Sequence, residues 1–135
     1  MCTDEFFFRV FHHEVFHYIE AYMEIIGYND GIFTDWNNYN PEGFVYGNTN
    51  SSYSYSMINP PTNSYFINDY GQTNEREDRA TIFEDLMARA YETKNSFINT
   101  NNIWLKGKSI SIEIDKYFNT VNSSTIERWE RFIYN

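Results

Sequence analysis

The sequence predicts a mostly α-helical fold with little β-structure, organised as a single domain over residues 1–135. A chain of this length is enough for one hydrophobic core and too short for two comfortable ones. Apolar residues recur at helical spacing near the N-terminus, in the middle and in the C-terminal third, and aromatic residues make up 20% of the chain. A long segment rich in Asn, Gly, Ser, Tyr and Pro separates the first two helical patterns.

The first predicted helix begins after Thr3 or Asp4, either of which can act as an N-cap. It ends at Gly27, which suits a residue in the left-handed conformation. Its sequence is apolar around most of the helical wheel, which predicts a buried helix.

This helix contains the string HEVFH, from His13 to His17. The two histidines are one turn apart on the same face, so both imidazoles can bind one metal ion. Glu14 lies beside them, where its carboxylate can take a proton from a water that zinc has acidified. The alternative is a pair of core histidines that are hydrogen-bonded to other protein groups. Two imidazoles and a carboxylate inside an apolar helix need partners, and a metal ion supplies them, which favours zinc. His12 projects about 100° away around the helix and is assigned to packing.

The remaining elements follow in chain order. Residues 28–71 show no helical period, and their aromatic content favours an ordered, packed loop. A second helix begins near Thr73 or Asn74, either of which can cap it. Its apolar stripe consists of Ala80, Phe83, Met87, Ala90 and Tyr91. A third helix is predicted from about Ile103 to Phe118, and a last one opens with Ser124 and Glu127 as a capping box.

A hydrolytic zinc site needs a third protein ligand besides the two histidines. Glu20 is excluded because it lies seven residues after His13, about 10 Å along the helix axis. The second helix offers five acidic residues, namely Glu75, Glu77, Asp78, Glu84 and Asp85. Glu77 lies on the core-facing stripe. Acids at a helix N-terminus also occur simply because they favour the helix dipole, so the pattern alone leaves this choice open.

The string YGQTNEREDRATIFEDLM, from Tyr70 to Met87, resembles the gluzincin zinc metallopeptidases of the anthrax lethal factor type, as does the histidine motif. The stretch from Trp36 to Gly47 is similar to a signature of related bacterial zinc peptidases. The resemblance implies a zincin-like helical core in which Glu77 is the third zinc ligand. It also implies that Tyr70 stabilises the tetrahedral intermediate of peptide hydrolysis.

The chain departs from this family in two places. The family usually has a second acid one helical turn after the ligand glutamate, and here that position is Thr81. We expect this change to weaken the orientation of a histidine ligand. Relatives also place a small sheet ahead of the zinc helix, whose edge strand pairs with the substrate. Because only a dozen residues precede His13, we expect this sheet to be missing. Either the chain is the C-terminal part of a longer protein, which we favour, or it has lost its substrate-binding edge and is inactive as it stands.

The sequence therefore predicts a zinc-dependent endopeptidase-like domain. Its Zn²⁺ ligands would be His13, His17 and Glu77, with Glu14 as general base and Tyr70 as hydrogen-bond donor to the oxyanion. The alternative is a catalytically inactive zinc-binding domain that acts as a binding or structural module. A helical interaction domain without metal is a third interpretation.

The expected partner is a peptide or protein substrate. A net charge of −9 without a basic cluster argues against nucleic acid and anionic membrane. The acidity fits either solubility or a preference for basic peptides. The single cysteine, Cys2, excludes a thiolate zinc cluster. We expect an extracellular or cell-surface location if the chain belongs to a longer exported protein, and a cytoplasmic one otherwise.

Overall fold

The computed structural model describes residues 3–27, 31–55, 64–92 and 101–118. It contains three α-helices, α1 (Thr3–Ile26), α2 (Glu75–Glu92) and α3 (Asn101–Phe118). Short 3₁₀ helices lie at Trp36–Tyr39, Ser51–Tyr53 and Asp69–Gln72. Over these ranges the β-structure is limited to an isolated bridge between Ser54 and Phe66. The mostly helical fold with a long irregular segment is therefore confirmed, and the predicted last helix from Ser124 lies outside the described residues.

Helix α1 differs from the prediction at both ends. Thr3 and Asp4 lie inside its first turn rather than capping it. Gly27 does not adopt the left-handed conformation, and its amide donates to the Met23 carbonyl at 2.8 Å, as in a continuing helix. Glycine is needed here for another reason, because a Cβ atom would collide with the Tyr117 hydroxyl of α3. The glycine thus lets α3 approach the end of α1 closely.

The hydrophobic core lies where the three helices and the irregular segment meet. Its fully buried side chains include Phe16, Met23, Trp36, Ile82, Leu86, Ile103 and Ile110. The rings of Phe16 and Phe83 lie 4.9 Å apart and join α1 to α2. The expectation that α1 is buried on all sides is wrong for the described residues, because its outward face exposes Phe7, Phe11, Tyr18 and Ile25.

Helices α2 and α3 follow the predicted bounds closely. The Asn74 side chain accepts a hydrogen bond from the Glu77 amide at 2.9 Å, which confirms it as the N-cap of α2. Ala80 and Phe83 of the predicted stripe are buried in the core. Ala90 and Tyr91 lie outside the described side chains. Helix α3 begins two residues earlier than predicted. No helix in the described ranges is long and apolar enough to cross a membrane.

Helices α1 and α2 run antiparallel and are joined by ion pairs. Three pairs connect them, namely Arg9 with Asp85, Glu20 with Arg79, and Glu24 with Arg76. Residues later in α1 pair with residues earlier in α2, which fixes the antiparallel register of the two helices. Arg79 and Glu20 are both buried, whereas the pair at Glu24 is open to solvent.

A second buried ion pair joins α2 to α3. The Lys106 ammonium lies 2.8 Å from the Asp78 carboxylate, and both side chains are fully buried. Trp36 and Tyr46 donate to the same carboxylate at 3.1 and 2.7 Å. Burial raises the pKa of Asp78 and lowers the pKa of Lys106, and the attraction between the two groups opposes both shifts.

We predict that replacing Lys106 by Met destabilises the protein by about 3–5 kcal/mol, because it leaves the Asp78 carboxylate buried without its cation. The matched control is Lys116→Met, since Lys116 pairs with Glu113 but its side chain is 57% exposed. The control should cost less than about 1 kcal/mol. Urea unfolding of the zinc-free proteins measures both values, and equal small losses would contradict the prediction.

Candidate metal centre

The three predicted metal ligands meet between α1 and α2. The Nε2 atom of His13 lies 2.8 Å from the Glu77 carboxylate, and the Nε2 atom of His17 lies 3.4 Å from the same oxygen. One ligand atom from each residue lies within 4.8 Å of the other two. Ligand atoms held about 2 Å from a tetrahedral ion are about 3.3 Å apart. The three side chains are therefore close to the arrangement that a single zinc ion needs.

The local sequence explains why these atoms converge. His13 and His17 project from one face of α1, one turn apart. The Asn74 cap starts α2 so that Glu77 stands in its first turn, pointing toward that face. Two imidazole nitrogens and one carboxylate oxygen form a set that zinc takes in hydrolytic sites. The residues present thus fit the metal that the sequence predicted.

Sequence reasoning missed the partner of the second His13 nitrogen. The Nδ1 atom of His13 lies 3.2 Å from a carboxylate oxygen of Glu84. A carboxylate in this position orients a ligating imidazole and leaves its Nε2 atom for the metal. Glu84 lies two helical turns after Glu77 on the same face of α2, and this spacing was the available signal.

Thr81 stands at the position where the family has a second acid, and its side chain has a different role. The Thr81 hydroxyl donates to the Asp78 carbonyl at 2.8 Å within α2. A Cβ atom at position 71 would lie only 3.1 Å from the Thr81 hydroxyl oxygen. Gly71 therefore lets the segment that carries Tyr70 pack closely on α2. The carboxylate that contacts His13 comes from Glu84, three residues after Thr81, and the effect of Thr81 on histidine orientation stays a prediction.

The site is negatively charged around His13. Burial by itself would lower the pKa of His13, but its hydrogen bonds to Glu84 and Glu77 outweigh burial and raise its pKa above the ordinary 6.5. A metal ion must displace that proton, because a histidine ligand binds in its neutral form.

Glu14 and Tyr70 border the ligand cluster. Glu14 is exposed on α1 next to His13. The Tyr70 ring centre lies 6.0 Å from that of His13, and its hydroxyl is hydrogen-bonded to Glu77. Partial burial and the charges of Glu77 and Glu14 raise the pKa of Tyr70. The phenol therefore keeps its proton at neutral pH and can donate a hydrogen bond.

A buried amide holds the Tyr70 segment in place. Tyr70 belongs to the 3₁₀ helix Asp69–Gln72. The Gln72 side chain is fully buried, donates to the Asn50 carbonyl and to Ser54 at 2.9 Å each, and accepts from the Asn50 amide at 2.8 Å. These bonds fix the turn that carries the tyrosine, which is itself 55% exposed.

The structure gives the other acidic candidates different partners. Glu20 pairs with Arg79, Asp78 with Lys106, Asp85 with Arg9, and Glu75 accepts from Asn37. His12 packs between aromatic rings, 4.4 Å from the ring centre of Phe8, as predicted. Of the five acidic candidates on α2, Glu77 is the one that joins the two histidines in the cluster.

Comparisons with known proteins find no match, since no family model, no curated protein and no solved structure is significantly similar to this chain.

We predict that Glu84→Gln weakens zinc binding about ten- to a hundredfold, because it removes the carboxylate that orients His13. Wild-type protein should bind one zinc ion per chain, and His17→Ala should bind none after dialysis. The control is Glu42→Gln, which removes an exposed carboxylate in the irregular segment. Competition with a chelating dye measures the affinities. Equal affinities for the Glu84 and Glu42 variants would show that Glu84 does not support the metal.

Proposed function

We propose that this protein is a zinc-dependent endopeptidase with a zincin-like core. The proposal depends on one observation, namely that His13, His17 and Glu77 converge while Glu14 and Tyr70 border the same cluster. These five residues come from two separate segments of the sequence. Their convergence supplies ligands, a base and a hydrogen-bond donor at one place.

The charges along the α1–α2 interface support a divalent ion. Three carboxylates elsewhere between these helices pair with arginines, at Arg9, Arg76 and Arg79. At the cluster, Glu77 and Glu84 face imidazoles instead. A divalent cation bound by the imidazoles in their neutral form would be attracted by both carboxylates.

Bound zinc would lower the pKa of a water molecule and polarise the substrate carbonyl. Glu14 is the base in this scheme. Its exposed carboxylate accepts the proton from the attacking water and then delivers it to the leaving amine. Its place beside His13 on α1 keeps it near the ligands without making it one of them.

Tyr70 would donate its phenolic proton in a hydrogen bond to the substrate oxygen as negative charge develops there. In the present structure this hydroxyl is bonded to Glu77. If Glu77 held a metal ion, the Tyr70 hydroxyl would be available to the substrate. The buried Gln72 limits the movement of this segment.

The alternative is an inactive zinc-binding module. Thr81 in place of an acid was one of the two sequence features in its favour, whereas the contact between Glu84 and His13 supports the enzyme. The exposed Glu14 and the adjacent tyrosine have no evident use in a module that only binds zinc for structure.

We predict that Glu14→Gln lowers kcat by about 10²- to 10⁴-fold while zinc content stays at one ion per chain, because only the proton acceptor is lost. Cleavage of a fluorogenic peptide library and elemental analysis measure the two properties. The control is Glu42→Gln, an exposed carboxylate in the irregular segment, which should keep full activity. Unchanged activity in Glu14→Gln would refute the assigned base.

Replacing Tyr70 by Phe should lower kcat by about 10²- to 10³-fold with little change in KM, because the lost hydrogen bond forms mainly in the transition state. Zinc affinity should stay within a few-fold of wild type. Tyr22→Phe is the control, since Tyr22 lies eight residues after Glu14 on α1 and packs against Phe118 of α3. A rise in KM at constant kcat would show that Tyr70 binds substrate without acting in catalysis.

A further inference from the structure

The outward face of α1 carries an apolar patch along its C-terminal half. Its large side chains are Tyr18, Tyr22, Ile25 and Ile26, which are 79%, 50%, 74% and 47% exposed. These residues share one side of the helix over about 12 Å of its length. Together they present roughly 500 Å² of surface, a size that often marks an interaction site on a soluble protein. We call these four residues the outward patch.

Helix α3 ends at one edge of the outward patch. The ring of Phe118, its last residue, lies 5.5 Å from the ring of Tyr22. The side chain of Tyr117 lies beside Gly27, at the end of α1. The chain therefore leaves the described part of the fold next to the patch, and residues 119–135 continue from that point.

The sequence of residues 119–135 has the pattern of a helix with one apolar side. Ile126, Trp129 and Ile133 recur at spacings of three and four residues. The charged residues lie at other positions around this helix, namely Glu127, Arg128, Glu130 and Arg131. The predicted capping box starts the helix at about residue 124. The segment thus supplies an apolar side that gains by being covered, close to a patch that gains in the same way.

The lengths of chain fit this partner. Residues 119–123 can span at most about 17 Å. A helix over residues 124–135 would be about 18 Å long, which is enough to cover a patch of about 12 Å. Because the segment is tethered beside the patch at Phe118, its local concentration there is high, and a small contact area is sufficient.

A second copy of the chain fits the patch less well. Stable interfaces between two proteins bury about 800 Å² on each partner, which is more than the patch presents. A copy that used the whole outward face of α1 would also bury the charged Glu14, at an energetic cost. A net charge of −9 disfavours an anionic membrane as the occupant. The segment that follows α3 is therefore the occupant that the observations favour.

We infer that residues 119–135 dock on the outward patch of α1, with the apolar side of their predicted helix facing Tyr18, Tyr22 and Ile25. This contact covers most of the apolar surface that α1 otherwise exposes along its C-terminal half. None of the residues of the metal cluster takes part in it, so the contact does not depend on the proposed peptidase.

The first experiment measures how fast an introduced thiol reacts in the full chain, in a Cys2→Ser background. In Ile25→Cys, the reaction with DTNB should be about tenfold slower than in Val45→Cys, because a covered thiol reacts only when the segment opens. Val45→Cys is the matched control, since Val45 is 60% exposed in the irregular segment. Adding Trp129→Ser should restore fast reaction in Ile25→Cys and leave the Val45→Cys rate unchanged. Dilution of the protein should change none of these rates.

The second experiment keeps Trp129 and therefore does not depend on how well the Trp129→Ser protein folds. It combines Ile133→Cys with a second cysteine on α1, under mild oxidation. Tyr18→Cys or Ile25→Cys should form a disulfide with it within one chain, seen as a monomer band whose mobility changes on reduction. The combination of Ile133→Cys with Val45→Cys should form none.

Three outcomes would overturn the inference. Fast reaction of Ile25→Cys in the full chain would show that the patch is open and available to another partner. Slow reaction that dilution relieves, or disulfides only between chains, would show that a second copy covers the patch. Slow reaction that Trp129→Ser leaves unchanged, together with no disulfide to Ile133→Cys, would show that residues 119–135 do not cover it.

Discussion

The direction of the first turn of α2 depends on the buried ion pair between Asp78 and Lys106. A pair of charges removed from water needs further hydrogen bonds to offset its desolvation. Trp36 and Tyr46 donate to the Asp78 carboxylate, and the Lys106 ammonium also donates to the Tyr65 carbonyl at 2.8 Å. These contacts join α2, α3 and the irregular segment at one point. Because the next residue upstream is Glu77, turning Asp78 into the core also sets the direction of the carboxylate that contacts His13 and His17.

The distance between ligands then depends on the register of α1 against α2. An ion pair stands on each side of the cluster, at Arg9 one turn before His13 and at Glu20 about two turns after it. The Arg79 guanidinium that pairs with Glu20 also lies 4.6 Å from the ring centre of Phe33, which favours its burial. A slide of one helix along the other would break both pairs. The polar pairs therefore specify the register more strictly than apolar packing alone.

Local patterns predicted the features that depend on local spacing. These were the three helices, the cap at Asn74 and the two histidines on one face of α1. The remaining features depend on partners far along the chain. Lysine is rarely buried, so nothing in the pattern of α3 marked Lys106 as the partner of an acid on α2. In the sequence Glu84 was one of several acids on its helix, and the structure places it against His13. Gly27 was predicted to end α1 in the left-handed conformation, which it does not adopt. A glycine at this position instead makes room for the Tyr117 side chain of α3.

The carboxylates of Glu77 and Glu84 stabilise the protonated form of His13 and would also attract a metal ion at the same place. Because the folded state raises the pKa of His13 above 6.5, protonation of His13 contributes to stability below pH 6.5, and this contribution is lost as pH rises through the raised pKa. Above that range Glu77 and Glu84 face a neutral imidazole. A metal ion would bind best in this deprotonated form. In the proposed function, a proton and a zinc ion would be alternative sources of positive charge at this cluster. Zinc would then add stability in the pH range where the proton no longer does.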